Sequence, residues 1–363
     1  MEEIVSIAPG RTCLFGDHQD YLGLPIIACA IDKYITLKAI KNNTNYFSID
    51  LPDINQKRKI PVDFSHLKLE KRDFFLSTLR VLKRYNCIPN AGFDIHITGT
   101  IPINSGTSSS SALVVAWVQF LLETFGSKEL LNPKSISQLA FESEVIEFNA
   151  SGGKMDQYSI GLGNIIYLET GENFSYEILK TPITGIIMAD SGVPKDTEGL
   201  LTKLKTNSWR AIEQVREQHQ NFDVKNVDEK SIDNYIDLVS KELKPYLEAT
   251  IGNYLVTKKA LSAFKEDNFD IYKIGNLLNE HHHYLKNKLK ITVPKIDKMI
   301  KSALQNNALG AKIVGSGGGG SIMALATEND EEKIISALKK AGAINVYKAN
   351  VTGGAKVYIQ KNN

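Results

Sequence analysis

The sequence predicts an α+β chain in which strands and helices are segregated, not a regular βαβ alternation. Three observations carry that expectation. Strand-like runs cluster in the first half, a helix-rich stretch occupies about 196–306, and strands return on both sides of a glycine-rich segment. At 363 residues the chain is longer than one compact core usually organises. Two domains are therefore expected, 1–180 and 181–363, with the division near residue 180.

In order along the chain, YITLKAI (34–40) reads as a strand. GFDIHIT (92–98) alternates apolar Phe93, Ile95 and Ile97 with polar Asp94, His96 and Thr98, the pattern of a strand buried on one face. Residues 109–125 are apolar on nearly every side, which predicts a central, buried helix. The helix expected from about 135 to 148 is amphipathic and carries Glu142, Glu144 and Glu147. NIIYLET (164–170) and GIIMADSG (185–192) read as strands. In the helix-rich stretch, weak breaks fall near Asn221, Asp267 and Pro294. Strands near 311–315 and 321–326, a helix near 329–341 and a closing strand pair are expected to follow.

Composition excludes several classes of function. Hydrophobic content of 42% and charged content of 23% suit an ordinary globular protein. Lys+Arg 43 against Asp+Glu 41 leaves a net charge of +2, so no strong attraction to nucleic acid or membrane is expected. The start, MEEIVSIAPG, is acidic where a signal peptide is basic, and no run of 18 apolar residues follows anywhere. Cys13, Cys29 and Cys87 are odd in number and widely spaced, which reads as reduced thiols and a cytoplasmic location. His281, His282 and His283 cannot converge on one metal from neighbouring helix positions; one core and two surface residues are expected. The Lys-rich segments near 203–205 and 286–290 read as solvated helix faces.

Four segments carry chemistry. In IPINSGTSSSSALVVA (101–116), Gly106, Thr107 and the serines Ser108, Ser109, Ser110 and Ser111 run directly into an apolar helix. Such a loop can turn its N–H groups on an anion, helped by the free donors and positive end of the helix. Serine hydroxyls can add donors to phosphate or ligate Mg²⁺. Taken alone, the loop fits a Ser-rich turn capping a buried helix equally well.

IAPGRTCLFGDHQDYLG (7–23) gathers Arg11, Asp17, His18 and Asp20 between glycine turns, a fork suited to neighbouring hydroxyls, with a solvated loop as the plainer reading. ASGGKMDQYSIGLGN (150–164) places Asp156 after a glycine pair and ahead of a strand, as a general base, a metal ligand or a helix cap. AKIVGSGGGGSIMAL (311–325) holds five glycines in Gly315 to Gly320 between strands. It is neither a dinucleotide fingerprint nor a Walker loop. Close approach to a substrate or phosphate explains the run better than a mere turn.

Together and in this order, these segments resemble the GHMP kinases, the superfamily of galactokinase, mevalonate kinase, homoserine kinase and phosphomevalonate kinase. The resemblance runs from Ala8 to about Gly354. APGR…GDHQDYLG is similar to the galactokinase sugar motif, PINSGTSSSSA to the phosphate loop and GSGGGG to the C-terminal glycine loop. It implies a ribosomal-S5-domain-2-like N-terminal half and a ferredoxin-like C-terminal half with the site between them.

It further implies an ATP-dependent kinase that uses Mg²⁺ and phosphorylates the anomeric hydroxyl of a neutral sugar such as galactose. The resemblance assigns Asp156 as catalytic base with Arg11 beside it, and Asp17, His18, Asp20 and Gly153 to the sugar. Thr107 to Ser109 would line the ATP phosphates, Ser110 and Glu144 would ligate Mg²⁺, and Gly315 with Gly317, Gly318 and Gly319 would close the substrate side.

Partners would be the sugar and ATP, with the protein a monomer or homodimer. Asp17 stands where galactokinases usually have Glu, and no Tyr follows the DSGV strand. VPKDT (193–197) looks more like mevalonate kinase, so a mevalonate-type kinase or a kinase of another sugar is the alternative. A non-catalytic sugar- or ATP-binding regulator would lack the base or a Mg²⁺ ligand; Asp156, Arg11, Ser110 and Glu144 are all present. Asp17 and Asp20 together are expected to repel an acidic substrate.

Overall fold

The computed structural model describes residues 2–103, 105–194 and 197–361. The chain opens with β1 (Glu2–Phe15) and β2 (Ile26–Lys41), followed by the hairpin β3 (Tyr46–Leu51) and β4 (Gln56–Pro61). Helix α1 (Phe74–Lys83) follows, capped by Asp73, whose carboxylate accepts the Leu76 N–H at 3.0 Å. Next come β5 (Phe93–Gly99) and α2 (Ser109–Phe125). The all-round apolar run makes α2 central. Trp117 and Phe120 pack with Phe47 and Phe93 in the largest cluster, and Trp117 Nε1 donates to the Phe75 carbonyl at 3.2 Å.

Helix α3 (Pro133–Phe141) starts at the Asn132 cap and passes into a π-turn over Glu142–Ile146. The helix expected to reach 148 is thus interrupted, and the wider turn re-aims Glu144. Helix α4 (Met155–Leu162) and the strands β6 (Ile165–Glu169) and β7 (Ser175–Leu179) complete this part.

The chain continues through β8 (Ile186–Asp190), α5 (Thr197–Gln218), α6 (Ile232–Ile236), α7 (Lys244–Phe264), α8 (Ile271–His283) and α9 (Pro294–Gln305). Strands β9 (Gly310–Ile313) and β10 (Ser321–Leu325) flank the glycine loop; α10 (Glu331–Ala341), β11 (Asn345–Ala349) and β12 (Lys356–Lys361) close the chain.

Among the described residues the strands form two sheets. The first runs β12-β1-β2-β5-β3-β4, with β6 pairing β2 and β7 pairing β6; the second runs β11-β8-β10-β9. The closing strands are therefore not a pair. β11 joins β8, while β12 returns to β1 with Glu2 opposite Lys361, so the end of the sequence belongs to the first sheet and not with 181–350. That choice is non-local: β1 still had an open edge, and pairing it satisfies a row of backbone groups.

Leu14, Phe15 and Ile27 of the first sheet share a buried cluster with Met188, Met323 and Leu325 of the second. One core therefore runs under both sheets at the point where the functional segments meet. Cys13, Cys29 and Cys87 are free and buried. No helix among the described residues is long and apolar enough to cross a membrane.

Candidate active site

Arg11 is fixed first. A register shift in the β1–β2 ladder falls between Pro9 and Gly10, immediately before it, and its backbone N–H donates to the Thr107 carbonyl at 3.2 Å. Its guanidinium, in a residue only 4% exposed, makes a two-pronged pair with Asp156: Nε to Oδ1 and Nη2 to Oδ2, each 2.7 Å. Nη1 donates to the Gly106 carbonyl at 2.6 Å. Burial opposes the Arg11 charge, but Asp156 outweighs it and raises the pKa.

Asp156 lies in the first turn of α4, not on a tight segment leading straight to a strand as the glycines around it suggested. Its side chain is 29% exposed, and the open part faces the cleft. Oδ2 also accepts the Ser108 hydroxyl at 2.5 Å. Oδ1 takes its contacts from the Arg11 guanidinium alone.

Ser108 stands at the N-cap of α2 in left-handed backbone (φ 59°). Its hydroxyl caps nothing in the helix; it goes to Asp156 instead, leaving the first-turn N–H groups of α2 for an anion. Gly106, Ser108, Ser109, Ser110 and Ser111 line the cleft. Thr107 does not: its side chain is buried and its hydroxyl pairs with Ser105 at 2.8 Å, inside the loop.

Ser110 Oγ donates to Glu144 Oε1 at 3.0 Å, and Gln157 Nε2 donates to Oε2 at 2.6 Å. Burial raises the Glu144 pKa, the Ser111 hydroxyl opposes the rise and the Asp156 charge adds to it. A nearby divalent cation would reverse that balance. No group of three or more His, Cys, Asp or Glu suited to a metal occurs among the described residues. Ser110 and Glu144 instead offer one hydroxyl and one carboxylate, the sparse oxygen set that suits Mg²⁺ arriving with phosphates and water.

At the other side, Asp20 lies against Gly153. Its carboxylate accepts the Tyr21 N–H at 3.0 Å and the Met155 N–H at 3.2 Å. Burial, then the neighbouring Asp156 charge, push Asp20 up to about 6. A Cβ on Gly153 would fall 2.2 Å from Asp20 Oδ2, so only glycine permits this approach. His18 sits at φ 66° with Nδ1 3.1 Å from the Tyr21 hydroxyl.

Asp17 also borders the cleft but is 1% exposed. Its Oδ2 is 2.6 Å from Lys312 Nζ, and its Oδ1 accepts the Gly315 N–H at 3.1 Å. Burial alone would raise its pKa; Lys312 and then His281 overcome this and bring it to about 2. The expected joint repulsion from Asp17 and Asp20 is corrected accordingly: Lys312 neutralises Asp17, and the repulsion of an acid rests on Asp20.

In the glycine loop, Gly315 and Ser316 reach the cleft. Gly317, Gly318 and Gly319 do not. The Gly318 N–H donates to the Ile291 carbonyl at 2.7 Å, a Cβ on Gly317 would strike Ile291, and one on Gly319 would strike the Val193 carbonyl. Lys195 and Asp196 of VPKDT lie outside the described residues, as does Asn104 of the phosphate loop.

His281 and His282 are both buried and His283 is exposed, one more core histidine than expected, because His281 stacks on Phe15 at 6.0 Å. Lys312, Gln157 and Ser316 were not singled out from sequence. Gln157 follows Asp156 directly, but nothing local marks Lys312.

The cleft so formed encloses about 950 Å³ and extends past Leu69, Arg72, Phe74 and Phe148. One end carries the α2 N-terminus and the serine hydroxyls, the other Asp20 and His18; Asp156 bonds Ser108 of the first, and its charge acts on Asp20 of the second.

The chain also matches known protein families. The family model described as GHMP kinases N terminal domain matches residues 73–164, GHMP kinases C terminal matches 260–344, and the galactokinase galactose-binding signature matches 1–40. A mevalonate kinase of Thermococcus sibiricus is 26% identical over 352 residues, covering 94% of this chain and 95% of its own. A galactokinase of Streptococcus mutans is 26% identical over 378 residues, covering 98% and 94%.

Among solved structures, Lactococcus lactis galactokinase complexed with galactose superposes with a TM-score of 0.86 at 22% identity, over 98% of this chain and 95% of that one. Methanococcus jannaschii mevalonate kinase gives 0.72 at 19% identity, over 96% and 98%. The structural matches establish the shared two-part fold.

Proposed function

The chain belongs to the GHMP kinases and is an ATP-dependent small-molecule kinase; on that premise we propose that it phosphorylates the anomeric hydroxyl of a neutral monosaccharide, galactose or a close relative. The observation that carries this reading is the position of Asp156, gripped by Arg11 and Ser108, between an anion-binding helix end and the Asp20–His18 fork. The galactose-binding signature over 1–40 covers that fork.

Phosphoryl transfer through a loose transition state asks mainly for positioning and charge neutralisation. In this reading Gly106 and the serines 108–111 take the phosphates of ATP through backbone N–H groups and hydroxyls. Ser110 and Glu144 would hold Mg²⁺, which would neutralise phosphate charge when bound. Asp20 and His18 fix the sugar hydroxyls.

Asp156 accepts the proton of the anomeric hydroxyl as the new O–P bond forms and the β–γ bridging bond breaks. Arg11 holds the Asp156 carboxylate in place and carries positive charge toward the transferring group.

A mevalonate-type substrate is the second reading, favoured by relatives such as the Thermococcus sibiricus enzyme at the same level of identity. Asp20 opposes it, because a substrate carboxylate seated there would face a second, half-buried acid. The test is ADP release by the purified protein with Mg²⁺, ATP and a panel of galactose, other neutral hexoses and pentoses, uronic acids and mevalonate. Turnover with a neutral sugar is expected. Turnover only with mevalonate or an acidic sugar would replace this reading with the second, and silence across the panel would overturn both.

A further inference from the structure

The buried pair Asp17–Lys312 has no place in the chemistry above, yet it holds two charges almost wholly out of water. Asp17 follows the end of β1 in the first sheet; Lys312 lies on β9 in the second. Both are almost fully removed from solvent, at 1% and 0% exposure of their side chains. Lys312 Nζ is 2.6 Å from Asp17 Oδ2 and donates to the Cys13 carbonyl at 2.9 Å. The second Asp17 oxygen accepts the N–H of Gly315, the residue at which the glycine loop enters the cleft. His281 Nδ1 is 4.0 Å away, and burial followed by the Lys312 charge lowers its pKa to about 3, so it stands there as a neutral ring.

We propose that Asp17 and Lys312 are positioning residues, a buried clamp that sets the Gly315–Ser316 edge of the cleft against His18 and Asp20, and that Asp17 is not a sugar ligand. Both Asp17 oxygens are committed, one to an ammonium and one to a backbone amide. An arriving hydroxyl would have to compete with a fully desolvated charge pair, where the loss of either partner is heavily penalised. The neighbouring Asp20 accepts two backbone N–H groups and, among the described residues, has no ion pair. The arrangement also accounts for Asp instead of Glu at this position: the carboxylate reaches Lys312 across a short span, where an added methylene would overfill a closed site.

The inference rests on the kinase reading only for its kinetic arm. The experiment is a four-member cycle of wild type, Asp17→Asn, Lys312→Met and the double variant. Thermal unfolding of the ligand-free proteins is measured first, then kcat and the KM values for sugar and ATP.

Each single change leaves one buried charge unpaired and is expected to lower Tm by about 5–10 °C, with at least half recovered in the double variant. Each is also expected to lower kcat by roughly 10- to 100-fold through the displaced loop. The double variant recovers most of that, with a sugar KM within about threefold of wild type.

Additive losses of Tm would overturn the clamp. A sugar KM raised about 10- to 100-fold in both Asp17→Asn and the double variant, the loss expected for a charged hydrogen-bond partner, would make Asp17 a sugar ligand after all. Should either single variant fail to fold, the sugar KM of the double variant decides between these outcomes. If the wild type turns over none of the panel, the kinase reading falls while the Tm cycle still tests the pair.

Discussion

Replacing Gly153 by Ala tests the sugar side of the cleft with a single methyl group. The new Cβ would lie 2.2 Å from Asp20 Oδ2, 2.3 Å from its Cγ and 2.8 Å from its backbone carbonyl carbon. Rotating the carboxylate away relieves the first two contacts but not the third. It also gives up the N–H bonds from Tyr21 and Met155 at 3.0 and 3.2 Å.

Hydrogen bonds to a charged group are worth about 1.5–3 kcal/mol each. Displacing Asp20 should therefore remove about 2–4 kcal/mol of transition-state binding, or roughly 30- to 10³-fold in kcat/KM for the sugar. In the proposed reading the phosphates lie on the far side of Asp156, so nucleotide affinity should stay within about threefold. The assay is ADP release over a sugar titration at saturating ATP, with binding of a fluorescent nucleotide and thermal unfolding as controls. A variant that folds, binds nucleotide and keeps the wild-type kcat/KM for sugar would refute the placement of Asp20 in the sugar site.

Further outcomes follow from the same geometry. Asp156→Asn keeps the shape but removes the proton acceptor, and kcat should fall about 10²- to 10⁴-fold with nucleotide affinity unchanged; single-turnover ADP release checks it. Glu144→Gln keeps a partner for Ser110 and loses the charge, so the Mg²⁺ concentration giving half-maximal rate should rise about tenfold or more in a metal titration. For Asp20, the folded pKa of about 6 lies above the ordinary carboxylate value, so the stability it lends is full at low pH and is lost as pH rises through about 6. Ionised Asp20 is the better acceptor, so kcat/KM for sugar should rise through the same range in wild type. That step should vanish in Asp20→Asn, with activity recorded from about pH 5 to 8.

What the sequence discloses here is what local patterns can encode. The all-round apolar run of 109–125 specifies α2 to the residue, and the alternation of 92–98 specifies β5 to within one position. The runs of small residues mark where the backbone approaches something closely, and the structure brings Arg11, Asp20, Gly153, Asp156 and the 106–111 loop to one cleft.

The rest depends on partners distant in sequence. Nothing near Lys356 says that β12 will pair with β1, because its alternation suits any open edge. Nothing near Lys312 says that it will meet Asp17, 295 positions away, and so a residue read as part of a hydroxyl-binding fork turns out to be ion-paired. The glycine run announces close packing without saying against what. Gly317 to Gly319 meet the 193–194 and 291 segments, and Gly315 alone of the four chosen glycines opens on the cleft. A π-turn, which re-aims Glu144, has no periodic signature of its own.

If Asp156 draws the proton from an anomeric hydroxyl, the product carries the record of it. Phosphorus and proton NMR of the sugar phosphate formed from ATP by the wild-type protein should show phosphate on C1, coupled to the anomeric proton, with the same signal building up about 10²- to 10⁴-fold more slowly in Asp156→Asn. Phosphate on a primary or ring hydroxyl, or the same C1 phosphate formed at the wild-type rate in Asp156→Asn, would rule out that role for Asp156.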